Sequence, residues 1–148
     1  MPTRVYLPVS SADLTTLAAD GRLPAGPGGT RRAHAVTSAL TQAHPSVDEE
    51  DLEYLAFCDA ARSAVPDHPP RLVLAGDVEA AEVLADTGGA GQKHPRSAVE
   101  VRGQVAVRQV VSVHVEDLVG PPSGPGELPD FLWYDVTELD SVVDQLPN

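Results

Sequence analysis

Four times along this chain a short β-branched stretch stops on a residue that can cap a helix, and a helical pattern begins. The joints are Val5-Tyr-Leu-Pro-Val9 into Ser10, His34-Ala-Val36 into Thr37, Leu72-Val-Leu-Ala75 into Asp77, and Trp133-Tyr-Asp-Val136 into Thr137. A Ser, Thr or Asp at such a joint accepts a hydrogen bond from the second or third free N–H of the new helix, which Ala or Val cannot do. Strand and capped helix in alternation predict one α/β domain over residues 1–148. Its expected sheet is mixed, mainly parallel and of about five strands, flanked by helices. A ferredoxin-like α+β sandwich is the alternative. The long helical stretch between the second and third strands favours the first, because one crossing helix returns the chain parallel.

The first strand is expected over Val5 to Val9, with Pro8 favouring an edge position or the strand end. A helix over Ser11 to Asp20 follows, with Leu14, Leu17 and Ala18 on one face and Gly21 as its stop. The best-marked helix starts near Val47, where Ser46 and Glu49 have capping-box spacing. In it Tyr54, Phe57, Cys58, Ala61 and Val65 share one stripe, and Leu52, Ala56 and Ala60 lie on the other side, so more than one face is covered. Leu72 to Ala75 reads as a buried strand and Val78 to Asp86 as a helix. A strand-rich region from Ala98 to Val115 is divided into a hairpin at Gly103, and the chain closes with a strand over Phe131 to Val136 and a helix over Glu138 to Leu146. Mobile loops are expected at about 23–32, 88–96 and 118–129, where Gly and Pro cluster. Arg4 to Gly21 and Arg71 to Gly88 also align without gaps, sharing Arg4/Arg71, Leu7/Leu74, Leu17/Leu84, Ala18/Ala85 and Gly21/Gly88. Duplication, or two answers to one packing problem, accounts for that similarity.

Composition narrows the partners. The net charge of −12 argues against nucleic acid and anionic membrane, since phosphate neutralisation needs clustered Lys and Arg. Cys58 is the only cysteine, so there is no disulfide framework and no thiolate metal site. Nine of the ten basic residues are Arg, with Lys93 alone as lysine, a bias that points to a GC-rich genome. Met1-Pro-Thr-Arg4 runs straight into a strand and leaves no room for a signal peptide's apolar stretch. No segment approaches the roughly 18 apolar residues of a membrane span. The expected location is the cytoplasm.

Several segments together carry a family resemblance. His34-Ala-Val-Thr-Ser-Ala-Leu40, Pro45-Ser-Val-Asp-Glu-Glu-Asp-Leu-Glu-Tyr54, Asp59-Ala-Ala-Arg62, Val113-His-Val-Glu-Asp117 and Leu132-Trp-Tyr-Asp-Val-Thr-Glu-Leu139 are the segments concerned. The chain resembles a small actinobacterial family known only as a domain of unknown function. The pattern departs at Gly120 to Gly126, a loop where that family suggests a helix. The resemblance implies an intracellular actinobacterial origin, and it carries no activity and no ligand.

Candidate chemistry is sparse. The run Asp48-Glu49-Glu50-Asp51 is accounted for by capping and the helix dipole, without a metal. His114 and Glu116 alternate on a strand and share a face, yet two ligands are too few for a metal. The loops Gly26 to Arg32 and Gly88 to Arg96 mix glycine with basic residues, but neither holds a phosphate-binding motif and both follow a helix instead of preceding one. No G-x-S-x-G nucleophile occurs, so no catalytic residue, no metal and no cofactor is assigned. Trp133 and Tyr134 point to opposite faces of the last strand, one for the core and the other as an interface anchor.

Two functions follow as expectations. The first is a non-catalytic cytoplasmic module that binds a protein partner or another copy of itself through Trp133 and Tyr134. The second is a small anionic-ligand-binding protein or enzyme with its site where parallel strands end. That site would be formed by Ser10, Thr37, Asp77 and Thr137 beside helix N–H groups, with His114 as the titratable group.

Overall fold

The computed structural model describes residues 2–64, 70–85, 96–119 and 128–146. The strands are β1 (Pro2–Val9), β2 (Arg22–Leu23), β3 (Thr30–Ala35), β4 (Leu72–Glu79), β5 (Val83–Ala85), β6 (Ala98–Arg102), β7 (Val105–Ala106), β8 (Val110–Glu116) and β9 (Phe131–Asp135). The helices are α1 (Ser11–Asp20), α2 (Ser38–Ala43), α3 (Glu49–Ser63) and α4 (Leu139–Gln145). Seven strands form one sheet in the order β5-β6-β3-β1-β4-β8-β9, and β2 with β7 forms a second, two-stranded sheet. Every pairing is antiparallel.

This overturns the expected mainly parallel sheet of about five strands. The physical reason lies in two connections. Val5 pairs with Ala35, so β3 starts level with the end of β1. The chain therefore leaves β1 and returns to the same end through α1 and residues 21–29, an out-and-back excursion that makes the next strand antiparallel. The crossover through α2 and α3 does bring β4 parallel to β3, as one crossing unit should. But β1 lies between them and pairs antiparallel with both. The one-sided sandwich of the alternative is not formed either, because helices cover both faces.

Period-2 alternation along β1 sorts those faces. Val5 and Leu7 join Leu14 and Leu17 of α1, Leu72 and Leu74 of β4, and Leu139 and Val142 of α4 in one aliphatic core. Tyr6 points the other way, where Val73 and Ala75 of β4 meet Leu52, Ala56 and Ala60 of α3. Pro8, expected at an edge, sits in a central strand. It is tolerated because the paired positions with β3 end at Tyr6, while pairing with β4 continues through Val9.

Local signals hold where they are self-contained. Ser10 caps α1 by accepting from the Asp13 amide at 3.1 Å, and the Asp13 carboxylate returns the bond at 3.0 Å. Gly21 ends the helix at φ +73. Thr37 caps α2, and α3 is capped by Asp48, two residues after the Ser46 expected in that role. Elsewhere the pairing of strands overrides propensity. The helical-looking segment from Val78 is instead the end of β4, a 3-10 turn over Ala80–Glu82, and β5. Asp77 is thus mid-strand, opposite Arg4, and binds its guanidinium at 2.6 and 3.2 Å. That removes the second βα unit on which the duplication rested, and Gly88 lies outside the described residues.

Gly103 adopts φ +81, but β6 pairs with β3 and β5 whereas β7 pairs with β2, so no hairpin forms there. Thr137 sits inside a 3-10 turn capped by Asp135 and is not the cap. The expected loop at 23–32 holds the end of β2, a 3-10 turn and the start of β3, while 88–95 and 120–127 lie outside the described residues.

Candidate functional site

The chain's aromatic residues are not spread through its core. The aliphatic core under α1 and α4 has no aromatic among its buried members. Four of the six aromatic residues in the sequence, Tyr6, Tyr54, Phe57 and Phe131, instead line one cleft of about 540 Å³ between α3 and the β8–β9 side of the sheet. Helical spacing builds its α3 wall: Glu50, Glu53, Tyr54 and Phe57 stand at i, i+3, i+4 and i+7. Strand alternation builds the floor, with Tyr6 of β1 and His114 of β8 on the α3 face and Phe131 of β9 on the same side.

Phe57 is the centre of this cluster. Its ring lies 4.9 Å from His114, 5.4 Å from Phe131 and 6.1 Å from Tyr6, the last two edge-to-face. Tyr54 stacks on it at 6.3 Å and remains 64 % exposed, forming the rim. Edge-to-face contacts suit the ring quadrupoles and fix the walls.

The electrostatics are one-sided. Glu50, Glu53 and Asp130 line the cleft, and its described lining holds no Arg or Lys. Burial, then the Glu53 carboxylate, raise the Tyr6 phenol above its ordinary value. The Cys58 thiol first, with Asp130 contributing, does the same for Tyr54. Burial pushes His114 down to about 4, and its Nε2 lies 3.0 Å from the Ser112 hydroxyl. At neutral pH the histidine is therefore uncharged, while the carboxylates supply the negative potential. Such a site favours cations with apolar bodies and repels anions.

Among the residues expected to bind an anionic ligand or a partner, His114 alone lies in this cleft. Glu116 shares its face but is held elsewhere, accepting from the Arg71 amide at 2.8 Å. Ser10 and Thr37 follow the ends of antiparallel neighbours, so they stand at opposite ends of the sheet, and each is engaged as a helix cap. Asp77 is paired with Arg4, and the Thr137 hydroxyl donates to Asp135 at 2.7 Å. The parallel sheet that was to align these residues along one edge is not there. Trp133 is 61 % exposed on the His114 face of β9, and Tyr134 packs from the other face against the aliphatic core.

The carboxylates and rings of the cleft carry a signal the sequence reading used differently. In the sequence the Tyr54–Phe57–Cys58 stripe reads as a covered helix face, and the acidic run as capping. Tyr6 and Asp130 gave no local signal, since they reach the cleft only through strand pairing.

A second polar cluster is buried beside α3. His34, 1 % exposed, places Nδ1 2.9 Å from Ser97 Oγ and Nε2 3.0 Å from Ser63 Oγ. Ser97 donates to Asp59 Oδ2 at 2.7 Å. Ser97 thus bridges His34 and the Asp59 carboxylate, while Ser63, on the other ring nitrogen, donates its hydroxyl to the Asp59 carbonyl at 2.9 Å. Ser97 and His34 are buried and Ser63 lies at the exposed end, and the arrangement ties α3 to β3.

Together these features define an antiparallel α+β domain with helices on both faces and an acidic aromatic cleft under one of them. Residues 3–119 match the model of a Family of unknown function (DUF6912), and the chain belongs to that family. No curated protein and no solved structure matches it. Among the described residues no helix is long and apolar enough to cross a membrane, and no group of three or more potential metal ligands occurs.

Proposed function

We propose that the protein is a non-catalytic cytoplasmic binding module that takes up an extended, positively charged segment of a protein partner along β9. The edge of the sheet carries this reading. β9 is the last strand, with no neighbour on its outer side among the described residues. Asp135 at its end is the one charge in β9, and Phe131 to Tyr134 carry neither charge nor proline, the usual devices that keep an edge unpaired. Trp133 is 61 % and Leu132 45 % exposed, on opposite faces of the strand. An added strand would pair with outer N–H and C=O groups of β9 and rest alternate side chains on those two residues. Charge selects the partner. A second copy would bring another −12 to the edge, whereas a basic segment meets the carboxylates of the neighbouring cleft. The excess of Arg over Lys and the family resemblance support an actinobacterial origin.

Trp133 is the only tryptophan, so its fluorescence reports on β9 directly. An acetylated, amidated peptide of alternating Val and Lys should shift that emission to the blue and bind less tightly as salt is raised. A peptide of equal charge with Pro in place of Val cannot complete the ladder and should not bind. Equal binding of both peptides, or of neither, would refute strand addition. A dimer seen by light scattering and abolished by Trp133→Lys would replace the basic partner with a second copy.

A further inference from the structure

We infer that the cleft between α3 and the β8–β9 side of the sheet is a binding site for an organic cation, an ammonium or guanidinium group on an apolar stem. The inference does not rest on strand addition at β9, because the cleft can receive either a basic side chain or a free amine. Its first support is the placement of the rings. A protein with only six aromatic residues fills its larger core with Val, Leu and Ala and gathers four aromatics around one opening. Ring faces attract cations, more strongly where water is partly excluded.

The second support is independent of the rings. Glu50 and Glu53 of α3 and Asp130 before β9 approach the cleft from two sides. Glu53 acts on the Tyr6 phenol and Asp130 on the Tyr54 phenol, so these two charges act on the cleft and are not merely solvated outside it. Two arginines reach the cleft's edge, Arg4 at Tyr6 and Glu53 and Arg62 at Tyr54, but each is also engaged by a carboxylate outside the lining, Arg4 by Asp77 and Arg62 by Asp59 at 3.5 Å. His114 adds no opposing positive charge at neutral pH. The volume, about 540 Å³, falls within the range of small-ligand sites and holds an arginine side chain or a short polyamine.

The test uses the full chain and small probes that cannot add a strand: N-acetylarginine methylamide, its near-isosteric citrulline counterpart, and spermidine. Two-dimensional amide NMR should show saturable shifts at Glu50 to Cys58 and around Phe131 with either cation. Binding by the arginine amide points to a peptide side chain, and binding by spermidine alone to a free amine; both support the site. The citrulline compound, which keeps the shape and loses the charge, should bind at least about tenfold more weakly. Glu50→Gln with Glu53→Gln should weaken the cation by about tenfold while the melting temperature stays near that of the parent. Tyr54→Ala, at an exposed rim position, should weaken it without hollowing the core. Equal binding of arginine and citrulline compounds, shifts confined to another surface, or no saturable shift at millimolar probe would overturn the inference.

Discussion

Replacing His114 by Gln should flatten the loss of stability on mild acidification. His114 is held near 4 in the folded protein, against 6.5 for the free side chain, and burial is the cause. The unfolded chain therefore takes up a proton between these two values and the folded chain does not. Above about pH 6.5 the ring is neutral in both states and imposes no cost. As pH falls from 6.5 toward 4 the unfolded state gains, and below about 4 the effect levels off. At roughly 1.36 kcal/mol per pH unit, the gap from 6.5 to about 4 sets a ceiling of about 3 kcal/mol. The ring is only partly buried, so solvent screening reduces this to about 1.5 kcal/mol.

Glu50, Glu53 and Asp130 line the same cleft, as do Tyr6, Tyr54 and Cys58. All remain in the variant, so subtracting the two stability curves cancels their own titrations to first order. Urea unfolding of parent and His114→Gln, at intervals from about pH 7.5 to about 4.5, gives the difference curve. The parent should lose about 1 kcal/mol more than the variant over that range. A difference that stays constant with pH, or an NMR titration of the His114 ring near 6.5, would refute the argument from burial.

Two further substitutions separate local from tertiary effects. Ser10→Ala should cost about 1 kcal/mol in chemical unfolding, nearly independent of salt, because it removes a cap. Asp77→Ala should cost about 0.5–1 kcal/mol at low salt and less at high salt, since its partner is the Arg4 charge and not a helix; equal salt dependence of the two would contradict the assignment. Gly76→Val should destabilise measurably in thermal unfolding, because a Cβ there would lie 3.0 Å from the Gln109 carbonyl oxygen at the β4–β8 irregularity. An unchanged melting temperature would mean that the strand shifts freely.

Short-range chemistry was legible in the residues. The cap at Ser10, the stop at Gly21, the cap at Thr37 and the strands at Val5 and Leu72 depend on neighbours within a few positions, so the sequence carries their whole cause. Val78 to Asp86 reads as helix because Ala, Glu and Leu favour that state locally, while β1 and β6 supply strand partners for Val78, Glu79 and Val83 to Ala85 from far away in the chain. Strand direction was equally out of reach. Whether an excursion returns parallel or antiparallel depends on how many times it crosses the sheet, and residues 21–29 add a pass that no local pattern marks. The cleft shows the same division. α3 wrote Glu50, Glu53, Tyr54 and Phe57 at helical spacing, but Tyr6, His114, Asp130 and Phe131 come from three other parts of the chain. Only the antiparallel registers of β1, β4, β8 and β9 bring those side chains to one face, because register in a sheet is set between strands and not along any one of them.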